Sequence, residues 1–410
     1  MPARTANALT AALGLTPADP AAAAADRELS DVTDDSRAVT PGSLFIARST
    51  GDERWRSYVT DAIWRGAAAV VAPGPIGVPA GVTLLHGHGK TPIDQRLAGA
   101  VAARFFGEPA KRLHLLGVTG TNGKTTVATL TQSLLHAAGV RCGLIGTVAV
   151  DTGGPAGPRP AELTTPGAVE LQRVFAEMVE HGCAACAMEV SSHALHQGRA
   201  EGLSFRAAVF TNLTRDHLDY HGTMDAYAAA KARLFRRVGP AGRAVLPRED
   251  AAAARMLTEV GTGASLAWTT ADPDVAWGSD YLINAHDLTA AGSRVTISGG
   301  GEREPFDADV PLIGEHNLRN LIQAIAAADA VAPLPPEDLA RAIAGLPPVP
   351  GRLEPVTLDD DRPRPAVLVD YAHTPDALEN VLRALRPLVP DGHRLIVVFG
   401  CGGDRDRTKR

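Results

Sequence analysis

Thr119 to Thr126 reads Thr-Gly-Thr-Asn-Gly-Lys-Thr-Thr, a run built for holding phosphate. Glycines let backbone N–H groups close around phosphate oxygens, Lys124 adds a positive charge, and Thr125 offers a hydroxyl to Mg²⁺. Gly120, Thr121, Asn122, Gly123, Lys124, Thr125 and Thr126 are therefore the candidate nucleotide-binding residues, with ATP as the expected ligand. The strict phosphate-loop pattern places a glycine where this chain has Val118. Taken alone, the loop implies a nucleotide and leaves open what is done with it.

A second group of polar residues lies further along. Met188-Glu-Val-Ser-Ser-His193 puts Glu189 at the end of an apolar run, and Asn212-Leu-Thr-Arg-Asp-His-Leu-Asp-Tyr-His-Gly222 follows a second such run with two aspartates and two histidines. Carboxylates and histidines at neighbouring strand ends are candidate Mg²⁺ or Mn²⁺ ligands, here Glu189 and His217; the alternative is ordinary surface polarity. Lys231, in Ala-Lys-Ala-Arg-Leu-Phe, reads from its spacing as a solvated lysine on a helix. Cys183 and Cys186 form a C-x-x-C that could be half a zinc site or a redox pair. It lacks a second pair of ligands and sits at the start of a buried strand, Ala184 to Val190, which favours a structural reading.

The elements that must position these residues alternate. Ser43 to Ala47, Tyr58 to Gly66 and Ala67 to Ala72 read as strand, helix and strand of a small α/β unit ending near Gly107-Glu-Pro109. Leu113 to Val118 feeds the glycine-rich turn, and a helix is expected from about Thr125 to Ala138. Leu171, Val174, Phe175, Met178 and Val179 fall at helical spacing. Ala207 to Thr211 is a further strand, and the alternation continues to about Ala332. It implies a mostly parallel sheet with helices on both faces. Pro347, Pro348 and Pro350 mark a second linker. Beyond it, Ala366 to Asp370, Asp376 to Leu388 and Arg394 to Phe399 read as strand, helix and strand. One such unit cannot cover both faces of a parallel sheet, so the chain is expected to be part of a longer protein.

A length of 410 residues calls for two or three domains. With 40 basic and 46 acidic residues the formal charge is -6, and five of the basic residues are lysines, which leaves no nucleic-acid footprint. No stretch approaches about 18 uninterrupted apolar residues, and the N-terminus has no signal-peptide core, so a cytoplasmic protein without a membrane partner is expected. Four cysteines are too few for a disulfide framework in a chain this long.

Several blocks taken together resemble the Mur ligase family: Asp35-Ser-Arg37, Gly120 to Thr126, Thr164-Thr-Pro166, Met188 to Arg199, Phe210 to Gly222, Ala230 to Phe235, His316-Asn317 with Asn320, Pro350 to Glu354, Val369 to Pro375, and Val398 to Arg407. The resemblance runs from about Asp35 to the last residue. It implies a three-domain α/β architecture: residues 1–108 binding the UDP-sugar, 109–346 a central phosphate-loop parallel-sheet ATPase, and 347–410 the start of an incomplete Rossmann-like amino-acid-binding domain. It also implies a ligase that adds the third residue of the peptidoglycan stem, joining diaminopimelate, or else lysine, to UDP-MurNAc-L-Ala-D-Glu with ATP and Mg²⁺, as a cytoplasmic monomer.

By the same resemblance Lys231 is carbamylated, which replaces the solvated reading, and Glu189, His217, Thr125 and the Lys231 carbamate are metal ligands. Lys124 with Lys231, Glu189 and His217 is the catalytic set. Asn317, Asn320, Arg352 and Asp370 attend the nucleotide. Ser36, Thr164, Thr165, Ser191, Gln197 and Arg199 attend the UDP-sugar peptide; the plain structural alternative for Thr164 and Thr165 is a helix cap ahead of Val169, and the two roles could coexist. Arg405 attends the incoming amino acid. The segment from Ala47 to Trp55 departs from the glycine-rich stretch usual in the family. Folylpolyglutamate synthetases share the loop, but the Ser191 to Gln197 block and the N-terminal unit stand against that reading; a binding protein without turnover is the remaining alternative.

Overall fold

The computed structural model describes residues 4–13, 15–18, 27–49, 51–86, 93–289, 292–301, 303–356 and 365–400. The N-terminal unit is a five-stranded sheet of β1 (Thr16–Pro17), β2 (Val32–Thr33), β3 (Leu44–Ile46), β4 (Ala69–Ala72) and β5 (Thr83–His86), in the order β1-β5-β4-β3-β2. Strands β2 to β5 run parallel, and β3 and β4 are buried at every position, as unbroken apolar runs in a covered parallel sheet should be. Helices α1 (Ala6–Leu13), α2 (Trp55–Trp64) and α3 (Gln95–Phe105) cover it. Glu108, in the left-handed region at φ 59°, and Pro109 turn the chain out of this unit.

The central sheet has eleven strands: β6 (His114–Thr119), β7 (Cys142–Ile145), β8 (Ala149–Asp151), β9 (Arg159–Pro160), β10 (Ala185–Glu189), β11 (Phe205–Phe210), β12 (Val238–Pro247), β13 (Ser265–Thr270), β14 (Tyr281–Thr289), β15 (Gly292–Gly299) and β16 (Phe306–Val310). Its order is β16-β15-β14-β13-β12-β11-β6-β10-β7-β8-β9. The stretch from β7 to β14 is parallel, as the alternation predicts, but both margins are antiparallel, at β8–β9 and at β15–β16. Two-sided burial sorts side chains by parity. Leu116, Val118, Ala185, Ala187, Ala207 and Val209 pack toward α4 (Lys124–Ala137) and α10 (Glu315–Ala328). Leu115, Cys186, Met188, Ala208 and Phe210 pack toward α5 (Ala168–Glu180) on the other face. Val127, Leu130 and Leu134 press α4 onto the sheet at roughly 1.5–3 kcal/mol each, and that packing fixes where its first turn points.

The two units are locked together. No side chain of its own caps α5, which begins after Gly167; instead the Gln95 carboxamide oxygen of α3 accepts from Ala168 N at 2.7 Å. Arg173 of α5 donates to Asp31 Oδ1 at 2.8 Å and to the Val32 carbonyl at 2.7 Å.

Past the second linker the structure departs from expectation. The strand read at Ala366 to Asp370 reduces to β18 (Leu368–Val369), antiparallel to β17 (Glu354–Pro355), and the helix is α12 (Pro375–Leu385) followed by a single 3₁₀ turn. Residues 394–399, read as a strand, form none: Ile396, Val398 and Phe399 are 70%, 94% and 68% exposed. Among the described residues no strand lies alongside to pair with them, and an apolar run becomes a strand only where a neighbour accepts its hydrogen bonds. Among the described residues no helix is long and apolar enough to cross a membrane.

Candidate active site

The phosphate loop joins β6 to α4, and Gly120 and Gly123 take φ of 147° and 84°. A Cβ on Gly120 would lie 1.8 Å from Thr211 Oγ1, and one on Gly123 2.4 Å from Asn320 Oδ1, so both positions require glycine. The N–H groups of Thr121 and Asn122, expected to face phosphate, are engaged elsewhere. They donate to the carbonyl and the side-chain oxygen of Asn212, at 2.9 and 3.0 Å. No side chain caps α4, which leaves the N–H groups of its first turn to an anion.

Two lysines converge on one carbonyl. Gly120 O accepts from Lys231 Nζ at 2.6 Å and from Lys124 Nζ at 3.1 Å; Lys124 also donates to Thr121 O at 2.8 Å. Lys231 belongs to α8 (Met224–Ala232), is 1% exposed, and has its ammonium 4.2 Å from the centre of the Tyr227 ring. Burial first, and Lys124 second, push its pKa well below the usual lysine range; burial likewise lowers that of Lys124. The solvated reading that spacing alone gave Lys231, already replaced on the resemblance, does not fit the fold, because the helix turns this residue inward beneath the loop.

Glu189, 1% exposed at the end of β10, is held by three donors. Thr125 Oγ1 (2.9 Å) and Thr147 N (2.7 Å) reach Oε1, and Thr147 Oγ1 (3.0 Å) reaches Oε2. From beyond the second linker, an Arg352 Nη donates to Thr125 Oγ1 at 3.0 Å, and Arg352 Nε is buried with no hydrogen-bond partner among the described residues. Asp370 accepts from Leu353 N at 2.8 Å and from Ala372 N at 2.7 Å, bracing the turn that carries Arg352. Asn317 donates to Ile313 O and accepts from Asn320, both residues buried on α10.

His217 adopts φ 53°, a conformation that costs a non-glycine residue about 1–3 kcal/mol and is characteristic of functional sites. Its ring stands 4.8 Å from that of His193, and burial pushes its pKa down to about 4, so the imidazole is neutral at physiological pH and can ligate. Thr121, Lys124, Glu189, His217, Lys231 and Arg352 are among the residues lining one cavity of about 780 Å³.

Thr164 and Ser191 also line this cavity; Thr165, Gln197, Arg199 and Ser36 are not in its wall. Thr165 does not cap α5: its hydroxyl donates to Glu189 O at 2.9 Å and accepts from Ser191 N at 3.0 Å. Ser191 caps α6 (Ser192–Gln197). Arg199 donates to Thr165 O and to Gln197 Oε1, and Arg48 of the N-terminal unit is close enough to lower its pKa further after burial. Ser36 is buried in a 3₁₀ turn of the N-terminal unit, hydrogen-bonded to Asp61. Arg405 lies outside the described residues. Sequence reasoning missed Thr147 and Asn212. Both stand just past the carboxyl ends of parallel strands, β7 and β11, the rule that singled out Glu189.

Whether these residues suit Mg²⁺ follows from the donor set. Among the described residues no three His, Cys, Asp or Glu side chains form a metal cage. Mg²⁺ asks for less, one or two carboxylates completed by waters and phosphates, and Glu189 with the Thr125 hydroxyl beside the phosphate loop supplies oxygens of that kind. The set fits.

A phosphate loop between strand and helix of a mostly parallel sheet, faced by a buried carboxylate, two lysines and an arginine, defines a nucleotide-dependent phosphoryl-handling protein. A family model described as Mur ligase middle domain matches residues 118–328, and one described as Mur ligase, glutamate ligase domain matches residues 351–410. The chain is 42% identical over 397 residues to UDP-N-acetylmuramoyl-L-alanyl-D-glutamate--2,6-diaminopimelate ligase of Synechococcus elongatus, covering 95% of this chain and 76% of that one. For the protein of the same name from Geobacillus kaustophilus the identity is 41% over 389 residues, with 92% and 74% covered. A solved structure of a UDP-N-acetylmuramoyl-L-alanyl-D-glutamate--2,6-diaminopimelate ligase superposes with a TM-score of 0.73 at 34% identity, over 94% of this chain and 75% of that one. The chain belongs to the Mur ligase family.

Proposed function

We propose that this Mur ligase joins diaminopimelate to the D-glutamate γ-carboxylate of UDP-MurNAc-L-Ala-D-Glu at the expense of ATP, in cytoplasmic peptidoglycan precursor synthesis. The observation that carries the reading is the convergence of Lys124 and Lys231 on Gly120 O, beside the Thr125–Glu189–Arg352 cluster. The names of the relatives support diaminopimelate over lysine.

In the first half-reaction a γ-carboxylate oxygen attacks the ATP γ-phosphorus, and the bond to the β-bridging oxygen breaks, giving an acyl phosphate and ADP. Lys124 and the unpartnered Arg352 N–H neutralise the migrating group, and the bare N–H groups of the first turn of α4 hold the chain of phosphates. The amine then adds to the acyl carbon, loses a proton, and phosphate leaves. Glu189, His217, Thr125 and Lys231 as a carbamate would hold Mg²⁺, which offsets the negative charge gathered on the phosphates. Burial pushes the Lys231 pKa well below the usual lysine range, which favours the neutral amine, the form that captures CO₂. Asn317, Asn320 and Asp370 serve the nucleotide; Ser36, Thr164, Thr165, Ser191, Gln197 and Arg199 serve the muramoyl peptide; Arg405 serves the incoming amino acid.

Coupled phosphate release tests the assignment. Turnover is expected with ATP, UDP-MurNAc-L-Ala-D-Glu and diaminopimelate together, and none with folate and glutamate. Lys124→Ala should abolish it, and undiminished ADP formation by that variant would overturn the role of the loop.

A further inference from the structure

Thr147 follows β7, the strand paired in parallel with β10, so it meets Glu189 at the same end of the sheet. Two of the three donors on that carboxylate belong to Thr147: its N–H to Oε1 at 2.7 Å and its hydroxyl to Oε2 at 3.0 Å. The same hydroxyl lies 3.1 Å from Thr164 Oγ1. A threonine hydroxyl has one proton and a carboxylate has none to give, so the direction of the chain is determined. Thr147 donates to Glu189, Thr164 must donate to Thr147, and toward a third group Thr164 can then only accept.

We propose that Thr147 is a positioning residue that holds both oxygens of Glu189 in one orientation and, through Thr164, joins the metal side of the cavity to the peptide side. Thr164 thereby reads a donor on the muramoyl peptide, an amide N–H, in preference to a carboxylate or phosphate oxygen. The inference rests on the reading of Glu189 and Thr164 given above. Residues that orient a metal-binding carboxylate typically govern about 10–100-fold in metal affinity, and a single neutral hydrogen bond about 0.5–1.5 kcal/mol.

The test uses the full chain. Mn²⁺ binding is measured by electron paramagnetic resonance, and UDP-MurNAc-L-Ala-D-Glu binding by calorimetry without ATP. Thr147→Val keeps the N–H and the shape but loses the hydroxyl; it should weaken Mn²⁺ about tenfold and the peptide about three- to tenfold, while Thr147→Ser retains both. Thr164→Val should weaken the peptide alone, and adding it to Thr147→Val should cost little more, since both cut one chain. Wild-type affinities in Thr147→Val, or additive peptide losses in the double variant, overturn the proposal. If Thr147→Val fails to fold, Thr147→Ser and Thr164→Val decide: weak binding of both ligands by the serine variant, or unchanged peptide binding by Thr164→Val, overturns it. Failure of the wild type itself to bind the peptide would instead overturn the ligase reading.

Discussion

Arg352 donates a hydrogen bond to the hydroxyl of Thr125 at 3.0 Å, across 227 residues of sequence. The hydroxyl in turn donates a hydrogen bond to Glu189 Oε1, so the segment past the second linker is tied into the phosphate site. Truncating Arg352 to Ala is expected to lower ADP formation about a hundredfold while leaving UDP-MurNAc-peptide affinity nearly unchanged, as measured by single-turnover ADP release and calorimetry. Lysine should restore little, because a point charge cannot hold Thr125 and a phosphate oxygen in one fork. An equal loss in both readouts would show that Arg352 serves only to seat its segment.

At Gly123 an added methyl group meets two obstacles, φ of 84° and Asn320 Oδ1 at 2.4 Å. Gly123→Ala is expected to destabilise the protein by about 1–3 kcal/mol in urea unfolding and to remove nucleotide binding. Adding Asn320→Ala should relieve the clash but not the backbone strain, so stability should return only in part.

A carbamate on Lys231 has a direct signature. In buffer with ¹³C-labelled bicarbonate the wild type should show a carbamate carbon resonance that Lys231→Ala lacks, and activity should fall in CO₂-depleted buffer and recover with bicarbonate. Lys231→Arg should lack the resonance too, because a guanidinium does not stay neutral even in the buried site beneath Gly120 O.

Burial pushes the Cys142 thiol up to about 12 and those of Cys183 and Cys186 in the same direction. Thiolates being the reactive form, none of the three should be labelled by a thiol reagent at about pH 8 until denaturant unfolds the chain; peptide mapping would report each one. Rapid native labelling of Cys186 would contradict its place in β10.

His217 and His221 both have pKa values pushed down to about 4, chiefly by burial, from a usual 6.5. Between about pH 6.5 and about pH 4 the unfolded chain therefore binds more protons than the folded one, and stability must fall as pH falls through that window. The melting temperature should decline across it, and His221→Gln should flatten the decline. A profile unaltered by the substitution would remove His221 from the account.

The sequence by itself determined the local features. An apolar run before a glycine-rich turn and a helix determined the phosphate loop, two-sided apolar strands the parallel sheet, and the end of such a strand Glu189, because each is set by neighbours within a few residues. The joining of distant segments was decided by tertiary structure. Lys231 reads as a solvated helix lysine until α8 packs beneath the loop and brings it to Gly120 O. Thr165 allows a second reading as a helix cap until Gln95, from helix α3 of the N-terminal unit, takes that place. Residues 394–399 read as a strand, yet pairing depends on a neighbour that composition cannot supply. Thr119 to Thr126 announce a phosphate site in one line of sequence, but which of its N–H groups remain free was settled by Asn212, ninety residues away, because a hydrogen bond depends on distance in space and is indifferent to distance along the chain.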